Sequence, residues 1–245
     1  MRGKGKDANS FCGEFSYTAI VSSFLNPSFI IAILVSLSVH EWAHGYAASL
    51  LGDPTARVQG RLTLNPIAHL DPMGALMFFL VGFGWAKPVP VNPYYFKHPR
   101  RDMALVALAG PASNLLLGTL CFFSLLLVVR PDLSSPFALL DAGQNGSVTM
   151  RVLIQILGSG VFLNFGLMAF NLLPVAPLDG SNILQLFIPP RWEDQYARIM
   201  QRGPVILLFL ILLGAFTSVS PLSVWVFGIM DFVLQMLGKI ASLFL

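Results

Sequence analysis

"VSLSVHEWAHGYAASLL", Val35 to Leu51, has the apolar and small residues of a membrane-spanning helix, yet carries His40, Glu41 and His44 near its middle. Ionisable side chains at bilayer depth are costly and are functional by default. On a helix, His40 and His44 share one face, about 6 Å apart along the axis, so both imidazoles can reach one metal ion. Glu41 lies about 100° further round, where it can stand beside such an ion without binding it.

The composition agrees with a membrane setting. Of 245 residues, 55% are hydrophobic and 11% charged, against about 25% charged in a soluble domain. Mean hydropathy is +0.71. The net charge of +3 gives no reason to expect a nucleic-acid partner. Cys12 and Cys121 form neither a metal-binding pair nor a disulfide framework.

A spanning helix needs about 20 mostly apolar residues. Residues 25–51, 103–129, 151–173, 204–220 and 222–240 meet that need. The stretch "MGALMFFLVGFG" at 73–84 is shorter and glycine-rich, and suits a re-entrant or partly buried segment. The expected fold is therefore an all-α polytopic membrane protein. It is a bundle of about five to six transmembrane helices, with a short re-entrant segment and a small β-strand or edge-loop element. That last element falls in "WAKPVPVNPYYFKHPR", 85–100, whose prolines confine it to a sheet edge or a surface loop. Trp85, Tyr94 and Tyr95 suit the membrane interface. The expected divisions are an N-terminal tail at 1–24, a core at 25–203 and a C-terminal helix pair at 204–245. The basic N-terminus has no confident signal-peptide core.

If 73–84 does not cross, one face holds Arg57, Arg61, Lys87, Lys97, Arg100, Arg101, Arg191, Arg198, Arg202 and Lys239. The other holds Arg2, Lys4, Lys6, Arg130 and Arg151. The excess of positive charge predicts that the first face is cytoplasmic.

The opening stretch has the H-E-x-x-H arrangement of zinc hydrolases. Two helical histidines and one carboxylate would leave a fourth position for water, with Glu41 moving its proton. The best third ligand is Asp179, in "FNLLPVAPLDGSNILQLF", just beyond a long apolar helix that Pro174 and Pro177 end. A second reading makes Asp179 only the cap of the next helix. Among other polar residues, His69 and His98 read as loop residues rather than ligands. Asp71 and Asp102 read as caps of the segments that follow them. Asn114 either bonds across helices or orients a site residue. Asp231 is an isolated acid in the last apolar run.

"HEWAH" at 40–44 and "NLLPVAPLDG" at 171–180 together resemble the site-2 protease family of intramembrane metalloproteases. The likeness continues through "GDPTARVQGRLTLNP", "GWAKPVPVNP" and "RRDMALVALAGPASNLLLG", and covers roughly residues 30–190. The resemblance implies one Zn2+ held by His40, His44 and Asp179, with Glu41 as the catalytic acid and base. It implies that Asn171 helps hold substrate near the metal. Lys87, Pro88, Val89, Pro90, Val91 and Asn92 would be the element that pairs with substrate backbone. No PDZ or CBS module is evident. The expected activity is endopeptidase cleavage within or beside the transmembrane segments of membrane-protein substrates. The setting would be a lipid bilayer, expected to be the plasma membrane, with the site nearer the cytoplasmic face. The competing readings are a metal-ion transporter and a non-catalytic binder of membrane helices. The sequence leaves the oligomeric state open.

Overall fold

The computed structural model describes residues 26–81, 84–129, 147–216 and 220–243. The expected N-terminal tail and most of the 130–150 loop lie outside the described residues. In chain order the helices are α1 (Pro27–Leu50), α2 (Thr55–Val58), α3 (Pro66–His69), α4 (Pro72–Val81), α5 (Pro99–Val129), α6 (Val148–Asn171), α7 (Asp179–Gln185), α8 (Glu193–Gln201), α9 (Gly203–Phe216) and α10 (Pro221–Ala241). Four of them, α1, α5, α6 and α10, are long and apolar enough to cross a membrane. The segment Pro190–Gln201 and the helix start at Gly203–Gly214 form a pair bent by 54°, which could make a fifth span. The described residues thus give four to five candidate spans, at the low end of the five to six expected. The shortfall lies at 204–220, where the helix has 14 residues and covers about 21 Å.

Local sequence sets the helix starts. Asn26 accepts a hydrogen bond from the Ser28 amide and Pro27 supplies a ready-made first φ, so α1 begins there. Its Ser36 and Ser38 hydroxyls donate to Ala32 O and Leu34 O, which satisfies them inside the helix. Helix α5 begins at Pro99, earlier than the expected Met103. Asp102 is not in front of the helix but within its first turn, and its carboxylate reaches back to accept from the His98 amide at 3.0 Å. Asp71 does cap α4, accepting from the Met73 and Gly74 amides at 2.9 Å each. With ten residues, about 15 Å, α4 is too short to cross.

Helix α5 packs along both α1 and α6, which also touch one another. The main core joins Phe122, Leu125 and Leu126 of α5 to Ile154, Val161 and Phe165 of α6 and Met230 and Leu237 of α10. Gly118 gives the Phe165 ring its seat, since a Cβ there would stand 2.6 Å from the ring. Outward-facing Leu116, Leu120, Leu127, Leu208, Phe209 and Phe232 are exposed, an apolar girdle that lipid would cover.

No strand occurs among the described residues. A single antiparallel bridge joins Leu70 to Ala86, continued by a hydrogen bond from the Lys87 amide to His69 O at 2.9 Å. The pairing stops there because Pro88 and Pro90 have no N–H to continue it. Residues 84–92 are an extended edge loop, and side chains rather than a ladder hold it.

Candidate metal centre

His40 and His44 project from one face of α1 with their rings perpendicular, centroids 4.6 Å apart. Their Nε2 atoms stand 3.0 Å from each other. Asp179 Oδ2 lies 3.3 Å from each of them. Among the described residues these are the His, Cys, Asp and Glu side chains that gather as a possible metal-holding group.

The turn after α6 delivers the carboxylate. Bonds from Val175 N to Leu173 O and from Leu178 N to Val175 O fold the chain back. Leu173 and Leu178 pack with Leu207 to pin that turn against α9. Asp179 is the first residue of α7, and Leu178 precedes it as a cap without a side-chain bond, so the capping reading of Asp179 fails. Gly180 is required because a Cβ would run into Leu172 O and Leu173 O. Arg100 of α5 donates from Nε to Gln185 O at 2.9 Å, and its Nη2 also reaches Ile188 O, which holds the far end of α7. Tyr196 donates to Ser181 O.

The donors fit a cation, and the ring protons show why. His40 Nδ1 faces Asn114 Oδ1 at 2.6 Å, and His44 Nδ1 faces the Val106 carbonyl at 2.7 Å. A carbonyl oxygen can only accept, so each Nδ1 carries a proton. In the neutral form of each ring the Nε2 lone pair is then the one that faces its neighbour and the carboxylate. Asp179 Oδ2 is itself buried and has no hydrogen-bond partner. Three electron-rich atoms at this spacing repel one another unless a cation lies among them. Tetrahedral zinc with bonds of about 2.0–2.1 Å separates its ligand atoms by roughly 3.3 Å. Gly110 of α5 keeps the place open, because a Cβ there would strike the rings of both His44 and His40.

Glu41, next along α1, does not join the cluster. Its Oε2 accepts from the Val89 amide at 2.9 Å. Val89 is buried, and a Cβ on Gly45 would come within 2.9 Å of its Cγ1. The rest of the expected substrate element is also anchored. Arg61 donates to Lys87 O at 2.8 Å and Pro88 O at 3.1 Å, and also to Ala68 O. Asp53, fully buried, accepts from the Asn92 amide at 2.7 Å and from the Thr55 amide at 2.9 Å. Val91 packs against Ala48, Phe96 and Val106. Pro90 is half-buried between these anchors. Asn171 is the last residue of α6, and its amide donates to Leu167 O within its own helix at 3.0 Å. The structure gives Asn171 no contact with the three-residue cluster.

His69 is buried and donates through Nε2 to Thr63 O at 2.7 Å, a loop-tying role consistent with its sequence reading. His98 is exposed, and Asp231 accepts from Gln235 on an exposed face of α10. Sequence reasoning passed over Asp53, Gly110 and Asn164. Asn164 alone carried a usable signal, a lone amide in an apolar helix. The partners of Asp53 and Gly110 are distant in sequence.

Residues 28–213 match the model of peptidase family M50. The chain belongs to this family. YwhC of Bacillus subtilis (strain 168), named as a zinc metalloprotease, is 42% identical over 76% of this chain and 80% of its own length. Rip2 of Mycobacterium tuberculosis (strain H37Rv), similarly named, is 32% identical over 84% of this chain and 72% of its own length. Rip2 of Mycolicibacterium smegmatis is 31% identical over 76% of this chain and 68% of its own. No solved structure gave a significant match. M50 membership agrees with the site-2 protease resemblance and with the convergence of the two motifs that carry it.

Proposed function

We propose that this M50 zinc metalloprotease cuts membrane-protein substrates within or beside their transmembrane segments, using His40, His44 and Asp179 to hold one zinc ion and Glu41 to move protons. The observation that carries this is the meeting of the two imidazole Nε2 atoms with a buried carboxylate oxygen that has no hydrogen-bond partner. Zinc in that place supplies a Lewis acid for the scissile carbonyl and the attacking water. Glu41 takes a proton from that water and returns it to the leaving amine. A transmembrane helix hides its carbonyls in internal hydrogen bonds, so the substrate must unwind and present extended backbone. Residues Lys87–Asn92 receive it, and the Val89 N–H passes from Glu41 to a substrate carbonyl, which frees the carboxylate for the reaction. Asn171, the last residue of α6, helps hold the substrate near the metal in this reading.

We read residues 25–203 as the catalytic core and 204–245 as a C-terminal helix pair; the matched span of 28–213 covers most of that core and runs on into α9. The short helix α4 enters the bilayer without crossing. The Lys and Arg excess around the loops supports a cytoplasmic orientation for the site's mouth; the membrane is taken to be the plasma membrane. Neither a transporter nor a silent binder has support from the comparisons.

The test uses detergent-purified protein and a panel of membrane-helix substrates. One zinc per chain and cleavage are expected. A chelator should abolish cleavage, and added zinc should restore it. Cleavage that persists after complete metal removal would refute the reading. Arg61→Leu should raise KM about tenfold by loosening the edge loop, with zinc content unchanged. Equal loss of zinc and turnover would show instead that Arg61 supports the metal site.

A further inference from the structure

Beyond the three candidate ligands, the most continuous buried polar structure runs behind His40. Asn114 of α5 is fully buried and Asn164 of α6 nearly so. Asn114 Nδ2 donates to Asn164 Oδ1 at 2.8 Å and to Ser36 O at 3.3 Å. Asn164 Nδ2 donates to Gly160 O at 2.7 Å. The set therefore joins α1, α5 and α6 at the depth of the histidines.

We infer that Asn114, held by Asn164, is a positioning residue that fixes which ring nitrogen of His40 faces the metal. The direction of the chain of bonds is dictated from its far end. Gly160 O and Ser36 O are backbone carbonyls and can only accept. Asn164 must turn its amide nitrogen to Gly160 and its oxygen to Asn114. Asn114 must then turn its nitrogen to Asn164 and Ser36 and its oxygen to His40. His40 Nδ1 is left to donate, so in the neutral ring Nε2 is the nitrogen that keeps its lone pair for the metal. Any reversal would put two acceptors face to face in a buried site, and such unmet groups are costly. His44 gets the same orientation from a backbone carbonyl, Val106 O, which no substitution removes. His40 depends on one side chain. The inference rests on the metal-site reading above. Outer partners of metal-bound histidines are worth about 10–100-fold in metal affinity.

The test is zinc affinity, measured by competition with a chromophoric chelator on folded, detergent-purified protein, with melting of the metal-free form measured alongside. Asn114→Leu, similar in volume but without an acceptor, should weaken zinc binding by about 10–100-fold. Asn114→Asp keeps an oxygen for His40 Nδ1 and, when protonated in this buried place, a donor for Asn164. It should restore affinity close to the wild type. Asn164→Leu should weaken binding in the same direction. The double variant Asn114→Leu/Asn164→Leu should bind no more weakly than Asn114→Leu alone, because Asn164 acts through Asn114. Where Asn114→Leu yields too little folded protein, Asn114→Ser carries the same expectation, its hydroxyl being too short to reach the ring. A purely structural role would lower melting in all these variants and leave zinc affinity unchanged, which would overturn the inference. So would losses from Asn114 and Asn164 that simply add. Asp179→Asn separates the two levels. If the wild type binds no zinc, or Asp179→Asn binds it equally well, the metal-site reading itself has failed.

Discussion

Glu41→Gln should keep its full zinc complement and cut substrate at least about 10²–10⁴-fold more slowly, the range set by loss of a general acid–base. The substitution is close to isosteric. A Gln oxygen still accepts from the Val89 amide, so the bond that ties the edge loop to α1 survives. The three candidate ligands are untouched. What disappears is the capacity to take up a proton at neutral pH. Zinc content and melting temperature near those of the wild type, with turnover lost, are therefore the expected pattern. Wild-type turnover in Glu41→Gln would remove Glu41 from the chemistry. Loss of zinc in parallel with turnover would make it a support of the metal site instead.

Gly110→Ala should have the largest effect on the metal. The added methyl has no free volume, since it would overlap His44 and meet His40 Cε1 at 2.6 Å. Both neighbours are the proposed ligands themselves, so the rings must move if the helices stay packed. Zinc affinity should fall by at least about 100-fold, the upper end of what outer-partner losses cause. Gly118→Ala is the control. Its methyl, on the same helix, would crowd Phe165 of α6 at 2.6 Å and touch neither imidazole. Overpacking of that kind costs about 1–3 kcal/mol of stability and should leave zinc affinity per folded molecule intact. Equal zinc affinities in the two variants would show that the crowding at Gly110 is relieved without moving the imidazoles.

The parts of this molecule that were legible in its sequence are those with local signatures. The H-E-x-x-H spacing depends only on helix periodicity, and the long apolar runs only on composition. Pro174 and Pro177 marked the turn that brings Asp179 back. Other features failed for a physical reason. Asp is a common cap, so Asp102 reads as one ahead of its helix, but Pro99 starts the helix a turn earlier and Asp102 reaches back to His98. The edge loop was expected as a possible strand, yet its prolines leave too few amides to pair. Its real anchors, Asp53, Arg61 and Glu41, bind across 39, 26 and 48 positions of chain. No local pattern encodes such partners. Asn114 was half legible. A buried amide in an apolar helix announces a bond, but only the fold shows that its partner is a candidate metal ligand.

The double mooring of that loop has a consequence for how a guest peptide is gauged. Upstream, the guanidinium of Arg61 grips Lys87 and Pro88; downstream, the carboxylate of Asp53 grips Asn92. Between these two abutments lie Val89, Pro90 and Val91, a deck of roughly 10 Å that the Glu41 carboxylate props at the Val89 amide. If this loop receives the substrate as proposed, a chain laid along it is measured over about three residues, so its alignment with the site is decided by a short ruler rather than by a long consensus.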